Sequence, residues 1–172
     1  MSWSRRGITR RGLIGRGALS AGLLALAACG FSPVYGPGGT GGKLFGQIRT
    51  ADPTTPDEFT FAGRIAERLG PERNARFALA YKLRIAVVSQ AITSDEVTTR
   101  YSLNGTADFV LTEQASGQQV TRGQVSTFTS YSTTGTTIAT MSAEQDAHDR
   151  LARMLADQVV TRLLAIDPAT VQ

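Results

Sequence analysis

The chain has one cysteine and one histidine in 172 residues, and its longest apolar run is about a dozen residues, short of the roughly 20 that a spanning helix needs. A lone cysteine excludes an intrachain disulfide, and no Cys or His cluster has metal-ligand spacing. A Ser-His-acid set could only be built on His148, which lies beside Asp149 on the polar side of a helical repeat and reads as a surface residue. The glycine-rich GPGGTGG, residues 36–42, lacks the Lys-Ser/Thr of a phosphate-binding loop and precedes a strand. Asp95-Glu96 falls between two strands, where paired acids are usually solvated. These shortages leave an enzyme little to work with, and no cofactor is implied.

Acidic residues are missing from positions 1–28, which carry five arginines, Arg5, Arg6, Arg10, Arg11 and Arg16. The apolar run ALSAGLLALAA follows. A basic head and a short apolar stretch describe an export signal. It ends in LAAC, with Leu26 three places before Cys29 and small Ala27 and Ala28 beside it, a pattern that resembles a lipobox. The Cys29 thiol would then receive a diacylglyceryl group, a peptidase would cut before it, and the new amine would be acylated. The competing reading is an ordinary signal peptide with an incidental cysteine. TRRGLIG, residues 9–15, also resembles a twin-arginine signal, and the export route stays open. Gly30 is not the aspartate that marks inner-membrane retention, so the expected location is the periplasmic side of the outer membrane. One acyl chain anchors marginally and two anchor stably, so two or three on Cys29 would hold the protein permanently in the outer-membrane lipid.

Removing residues 1–28 from 172 leaves 144, enough for one domain with its own core. It also removes five of the 18 basic residues, leaving 13 basic against 14 acidic. The precursor's net charge of +4 and pI near 9.7 therefore carry no implication of nucleic-acid binding. The expected organisation is a signal peptide over 1–28, an acylated N-terminus and Gly-rich tether over 29–42, and a single α/β domain over 43–172. As a flexible coil the tether would span about 20 Å.

Six elements are predicted in the domain. KLFGQIR (43–49) alternates as a short first strand. TTPDEFTFAGRIAERLG follows as a helix: Thr55 caps, Pro56 suits the first helical position, and Glu58 completes a capping box. Phe59, Ala62, Ile65, Ala66 and Leu69 share one face, and Gly70-Pro71 ends it. In RFALAYKLRIAVVSQ, Phe77, Leu79, Tyr81, Leu83, Ile85 and Val87 point one way and Lys82 and Arg84 the other. TTRYSLNGTADFVLT repeats this with Tyr101, Leu103, Ala107, Phe109 and Leu111 inward. Asn104-Gly105 is a hairpin signal, but the apolar phase continues through it, so the turn is placed at EQASGQQ (113–119). TRGQVSTFTSYST is the last strand. A long helix begins near Ser142, with Gln145 as its capping-box partner. Leu151, Leu155, Val159 and Leu163 form its stripe, widened by Ala147, Met154, Val160 and Ile166, and Asp167-Pro168 stops it.

The order β-α-β-β-β-α, with one apolar face per strand, implies an α+β two-layer sandwich. It would be a mainly antiparallel four-stranded sheet with both helices on one face and the other face polar and open. The lipobox followed by CGFSPVYG, this element order, TSYSTTGTTIAT and the closing EQDAHDRLARMLADQVVTRLLA together resemble the LptE family in its alphaproteobacterial form. The resemblance covers essentially all of the mature chain, although the middle strands match in pattern only. It implies a non-catalytic outer-membrane lipoprotein that partners the barrel protein LptD, sits partly inside it as a plug, and binds lipopolysaccharide during assembly.

Even-numbered strand positions carry Lys82, Arg84, Arg100 and Arg122 on the face away from the helices, together with Asp108. Guanidinium forks match phosphate oxygens, so these four are the candidate lipopolysaccharide-binding residues. The plainer account is the solvated side of amphipathic strands. Phe128 also falls on that outward phase, where a large aromatic is unexpected; it is the candidate barrel contact, with the loop STTGTTIAT (132–140) beside it. An auxiliary or structural envelope lipoprotein of another transport complex is the alternative. A lipid-tethered hydrolase would need a clustered pair of carboxylates that the sequence does not offer.

Overall fold

The computed structural model describes residues 33–36, 38–92, 98–167 and 170. The chain divides into two units, Met1–Pro33 and Val34–Gln172, and every element among the described residues belongs to the second. In order these are α1 (Thr40–Leu44), β1 (Ile48–Thr50), α2 (Pro56–Leu69), β2 (Phe77–Ile92), β3 (Thr98–Glu113), β4 (Gln119–Ser132) and α3 (Thr137–Leu164). The sheet runs β1-β2-β3-β4, with β1 parallel to β2 and the other pairs antiparallel. The expected α+β sandwich is thus present, with one parallel pair at its margin.

Odd-numbered strand positions face the helices. Phe77, Leu79, Leu103, Ala107, Phe109, Leu111 and Val125 are buried together with Phe61, Ile65 and Leu69 of α2 and Leu151, Leu155, Val159 and Leu163 of α3. Each large apolar side chain so buried contributes about 1.5–3 kcal/mol of transfer free energy. Gly105 sits in mid-strand, paired with Ile85 on one side and Thr127 on the other. A Cβ there would lie 3.0 Å from both Leu151 and Leu155, so the missing side chain lets α3 settle onto the sheet. The Asn-Gly pair therefore marks a close helix–sheet approach, and the chain turns at Glu113–Gln119 as expected, closed by Gly117 N–H donating to the Glu113 carbonyl at 2.9 Å.

The start of α2 follows its sequence signature. Thr55 Oγ1 accepts from Glu58 N–H at 3.3 Å, and Glu58 Oε2 accepts in return from Thr55 N–H at 3.3 Å. The Thr54 hydroxyl and amide also donate to that carboxylate, which lowers its pKa. Gly70 ends the helix at φ +78°, a conformation that L side chains rarely adopt.

Several local expectations are corrected. The first strand is Ile48–Thr50; Lys43 and Leu44 instead close α1, because Leu44 is drawn into the core. The glycine-rich stretch packs at its C-terminal end, where Thr40 and Gly41 are buried and Thr40 Oγ1 donates to the Ile166 carbonyl at 2.8 Å. Helix α3 begins earlier than Ser142: Thr136 is its cap, with Oγ1 accepting from Ala139 N–H, and Ser142 lies inside the helix. On α2 the buried aromatic is Phe61, packed at a tilt against Tyr81 with 4.8 Å between ring centroids, while Phe59 is 63% exposed. Met154 likewise lies outside the buried stripe of α3.

Helix α2 packs beside α3 with Arg64 and Arg68 both reaching Asp157, Arg64 Nε at 2.9 Å and Arg68 Nη1 at 2.6 Å. Its first turn is tied by Asp57 Oδ1 to His148 Nδ1 at 3.1 Å. Thr60 donates to Asp149 at 3.0 Å. His148 is thus a half-buried link between the helices, and not the free surface residue expected from the helical repeat.

Candidate functional site

The even-numbered positions of β2, β3 and β4 form the face away from the helices, and the register arranges them in rows. Lys82 lies opposite Asp108 and Asp108 opposite Gln124. The next row is Arg84, Thr106 and Ser126; the next Ala86, Asn104 and Phe128. On the other side of the Asp108 row come Ala80, Val110 and Arg122.

Asp108 is the centre of this face. Its Oδ2 accepts from Arg84 Nη2 at 2.6 Å and its Oδ1 from Gln124 Nε2 at 2.6 Å. The Gln124 hydrogen bond, helped by the charges of Arg84 and Lys82, holds the carboxyl below the usual aspartate range. The carboxylate therefore stays ionised and fixes the Arg84 guanidinium against the sheet. Lys82, Arg84 and Arg122 lie in the three consecutive rows around it, so three cations surround one anion.

Arg100 does not join them. It pairs with Ala91 and Ser132, six positions along β3 from Thr106 in the Arg84 row, or about 20 Å at the rise of an extended strand. The sequence placed all four cations on one face correctly but could not give their spacing along it. Phe128 is 68% exposed on the same face. It edges a shallow depression of about 480 Å³ lined also by Ala86, Asn104, Thr106 and Ser126. The depression reaches Thr106 and Ser126, the partners of Arg84 in the next row. The segment Ser132–Thr140 is part strand end and part first turn of α3, with Ile138 exposed.

The role of Gln124 was missed from sequence. Its signal was available in principle, since its even position faces Asp108 once the turn at Glu113–Gln119 sets the β3–β4 register. Cys29, Gly30 and Asp95-Glu96 lie outside the described residues. Among the described residues no group of three or more His, Cys, Asp or Glu is arranged to hold a metal ion, and no helix is long and apolar enough to cross a membrane.

A model of the lipopolysaccharide-assembly family LptE matches residues 47–163. The chain belongs to the LptE family. That match runs from the residue before β1 almost to the end of α3, so it takes in the whole sheet and both long helices. No curated protein matches the chain in sequence. Among solved structures, the fold is shared with a candidate lipoprotein from Caulobacter crescentus CB15 at 19% identity and TM-score 0.61, covering 73% of this chain and 92% of that one. It is shared also with the rare lipoprotein B from Shewanella oneidensis at 11% identity and TM-score 0.53, covering 68% and 91%. A lipoprotein B from Nitrosomonas europaea matches at 7% identity and TM-score 0.53, covering 69% and 81%. At these identities the likeness is one of fold.

Proposed function

We propose that this LptE-family chain is an outer-membrane lipoprotein, anchored through acylated Cys29, that partners the LptD barrel as a plug and binds lipopolysaccharide during its delivery to the outer leaflet. The observation that carries the binding half of this reading is the arrangement of Lys82, Arg84 and Arg122 around Asp108 on the sheet face that the helices leave bare. Lipid A phosphates and acidic core sugars are multiply anionic, and a guanidinium held in place by a carboxylate loses less rotamer freedom on meeting them. Arg100, at the far end of the same face, would reach a different part of a large glycolipid. Phe128 supports the barrel contact, because an exposed ring on a sheet face offers a large contact area at low entropy cost.

Pull-down from solubilised outer membranes, with both the captured protein and the captured lipid identified, tests the reading. A large barrel protein and lipopolysaccharide are the expected catch; capture of another transport complex would replace it with an auxiliary envelope role. Lys82→Ala with Arg84→Ala should lower lipopolysaccharide affinity about tenfold or more, as expected for two lost charge-assisted contacts. Unchanged affinity would remove the cations from the account.

A further inference from the structure

The two edges of the sheet are finished differently. At the β4 edge, the helix-facing residues Val125 and Tyr131 are already buried beneath α3. At the β2 edge, β1 pairs only as far as Thr50 with Leu79, and Ala51 N–H makes the last bond of that ladder to the Leu79 carbonyl. The chain then turns away into α2. Among the described residues no strand lies on the β1 side of β2 from Leu83 to Val88.

Backbone parity decides what this bare edge presents. Phe77 N–H donates to the Gln47 carbonyl, and the Leu79 carbonyl accepts from Ala51, so odd-numbered residues of β2 turn their N–H and C=O toward the β1 side. With period two, Leu83, Ile85 and Val87 turn theirs outward into the vacant position. The same three side chains face the helix layer, yet Leu83 and Ile85 are only half-buried and Val87 is 54% exposed; α2 meets this strand at Tyr81, against which Phe61 packs. Beyond Ser89 the β2–β3 register shifts and the backbone parity no longer holds.

We propose that this edge takes an extended segment of a partner protein as an added strand, with apolar and acidic side chains in alternation. The backbone groups of Leu83, Ile85 and Val87 supply the ladder. Side chains of the incoming strand on the helix side would cover those apolar residues; those on the open face would lie beside Lys82 and Arg84, which select acidic groups. The edge is a different surface from the Phe128 depression but shares Lys82 and Arg84 with the proposed glycolipid site; protection of the Leu83, Ile85 and Val87 amides is the readout that belongs to the added strand alone.

The test uses the full chain in detergent micelles and two ten-residue peptides, one alternating valine with glutamate and one alternating valine with lysine. The valine–glutamate peptide should slow amide hydrogen exchange at Leu83, Ile85 and Val87 at least tenfold, and the lysine peptide should not. Val87→Pro removes one outward N–H at a position where an edge strand tolerates proline, and should weaken the peptide at least tenfold with the circular dichroism unchanged. Lys82→Glu with Arg84→Glu, a variant that leaves the backbone edge intact, should reverse the preference between the peptides. Equal binding of both peptides, protection along β4 instead, or self-association through β2 that excludes the peptide would each overturn the proposal.

Discussion

The two faces of the β2–β4 sheet are made by the same three strands and have opposite characters. On the helix side, Leu79, Leu103, Ala107 and Leu111 share one core with Leu151 and Leu155 with essentially no exposure, and even a glycine is needed to let the layers close. On the open side, charged and hydroxyl side chains alternate with an exposed phenylalanine, and the main organised feature is Asp108 with its two donors. The difference teaches that stability and recognition are written in alternate residues. The inner residues fix the register, and the register then decides which outer residues are neighbours.

The sharpest way to break this comparison is to damage the inner face. Leu155→Ala removes a fully buried side chain packed over Gly105, and should cost about 2–5 kcal/mol in urea unfolding. A loss under 1 kcal/mol would mean that the helix layer is far less tightly seated than its packing implies.

An intermediate effect is expected where the two helices are joined. Burial alone would raise the pKa of Asp157, but hydrogen bonds and charge from Arg64 and then Arg68 outweigh it and the net shift is downward. A lowered folded-state pKa gives stability that is present above the unfolded value of about 3.9 and lost as pH falls through the folded value. Asp157→Asn should therefore cost up to about 1 kcal/mol at neutral pH for a partly exposed pair, and the two stability curves should converge below about pH 4. Parallel curves down to pH 2 would assign the effect to packing.

The smallest effect on stability belongs to the open face. Phe128→Ser should change the unfolding free energy by no more than about 0.5 kcal/mol, as an exposed substitution does, while reducing crosslinking to the proposed barrel partner from a probe at Ser126. A destabilisation comparable to Leu155→Ala would mean that the ring is part of the fold.

The capping box of α2, the alternating strands, the turn at Glu113–Gln119 and the stripe on α3 were all legible, because each rests on local periodicity or on hydrogen bonds within a few residues. The start of α3 was not, since Thr136 and Ser142 both offer caps and the choice lies in whether the extra turn finds support. Phe59 and Phe61 lie on nearly opposite sides of α2, each at helical spacing from part of the apolar set, and Tyr81 waiting across the gap selects the Phe61 side.

By itself the sequence determined the layers of this protein and which side chains share a face, because a period of two or 3.6 acts on neighbours along the chain. The tertiary structure decided distance along that face and cover over it. It set Lys82, Arg84 and Arg122 around Asp108 and left Arg100 about 20 Å away. It also ended β1 at Thr50, so that the outward backbone groups of Leu83, Ile85 and Val87 have no strand beside them among the described residues. Register and coverage depend on where separate segments meet, and that is fixed only when the core closes.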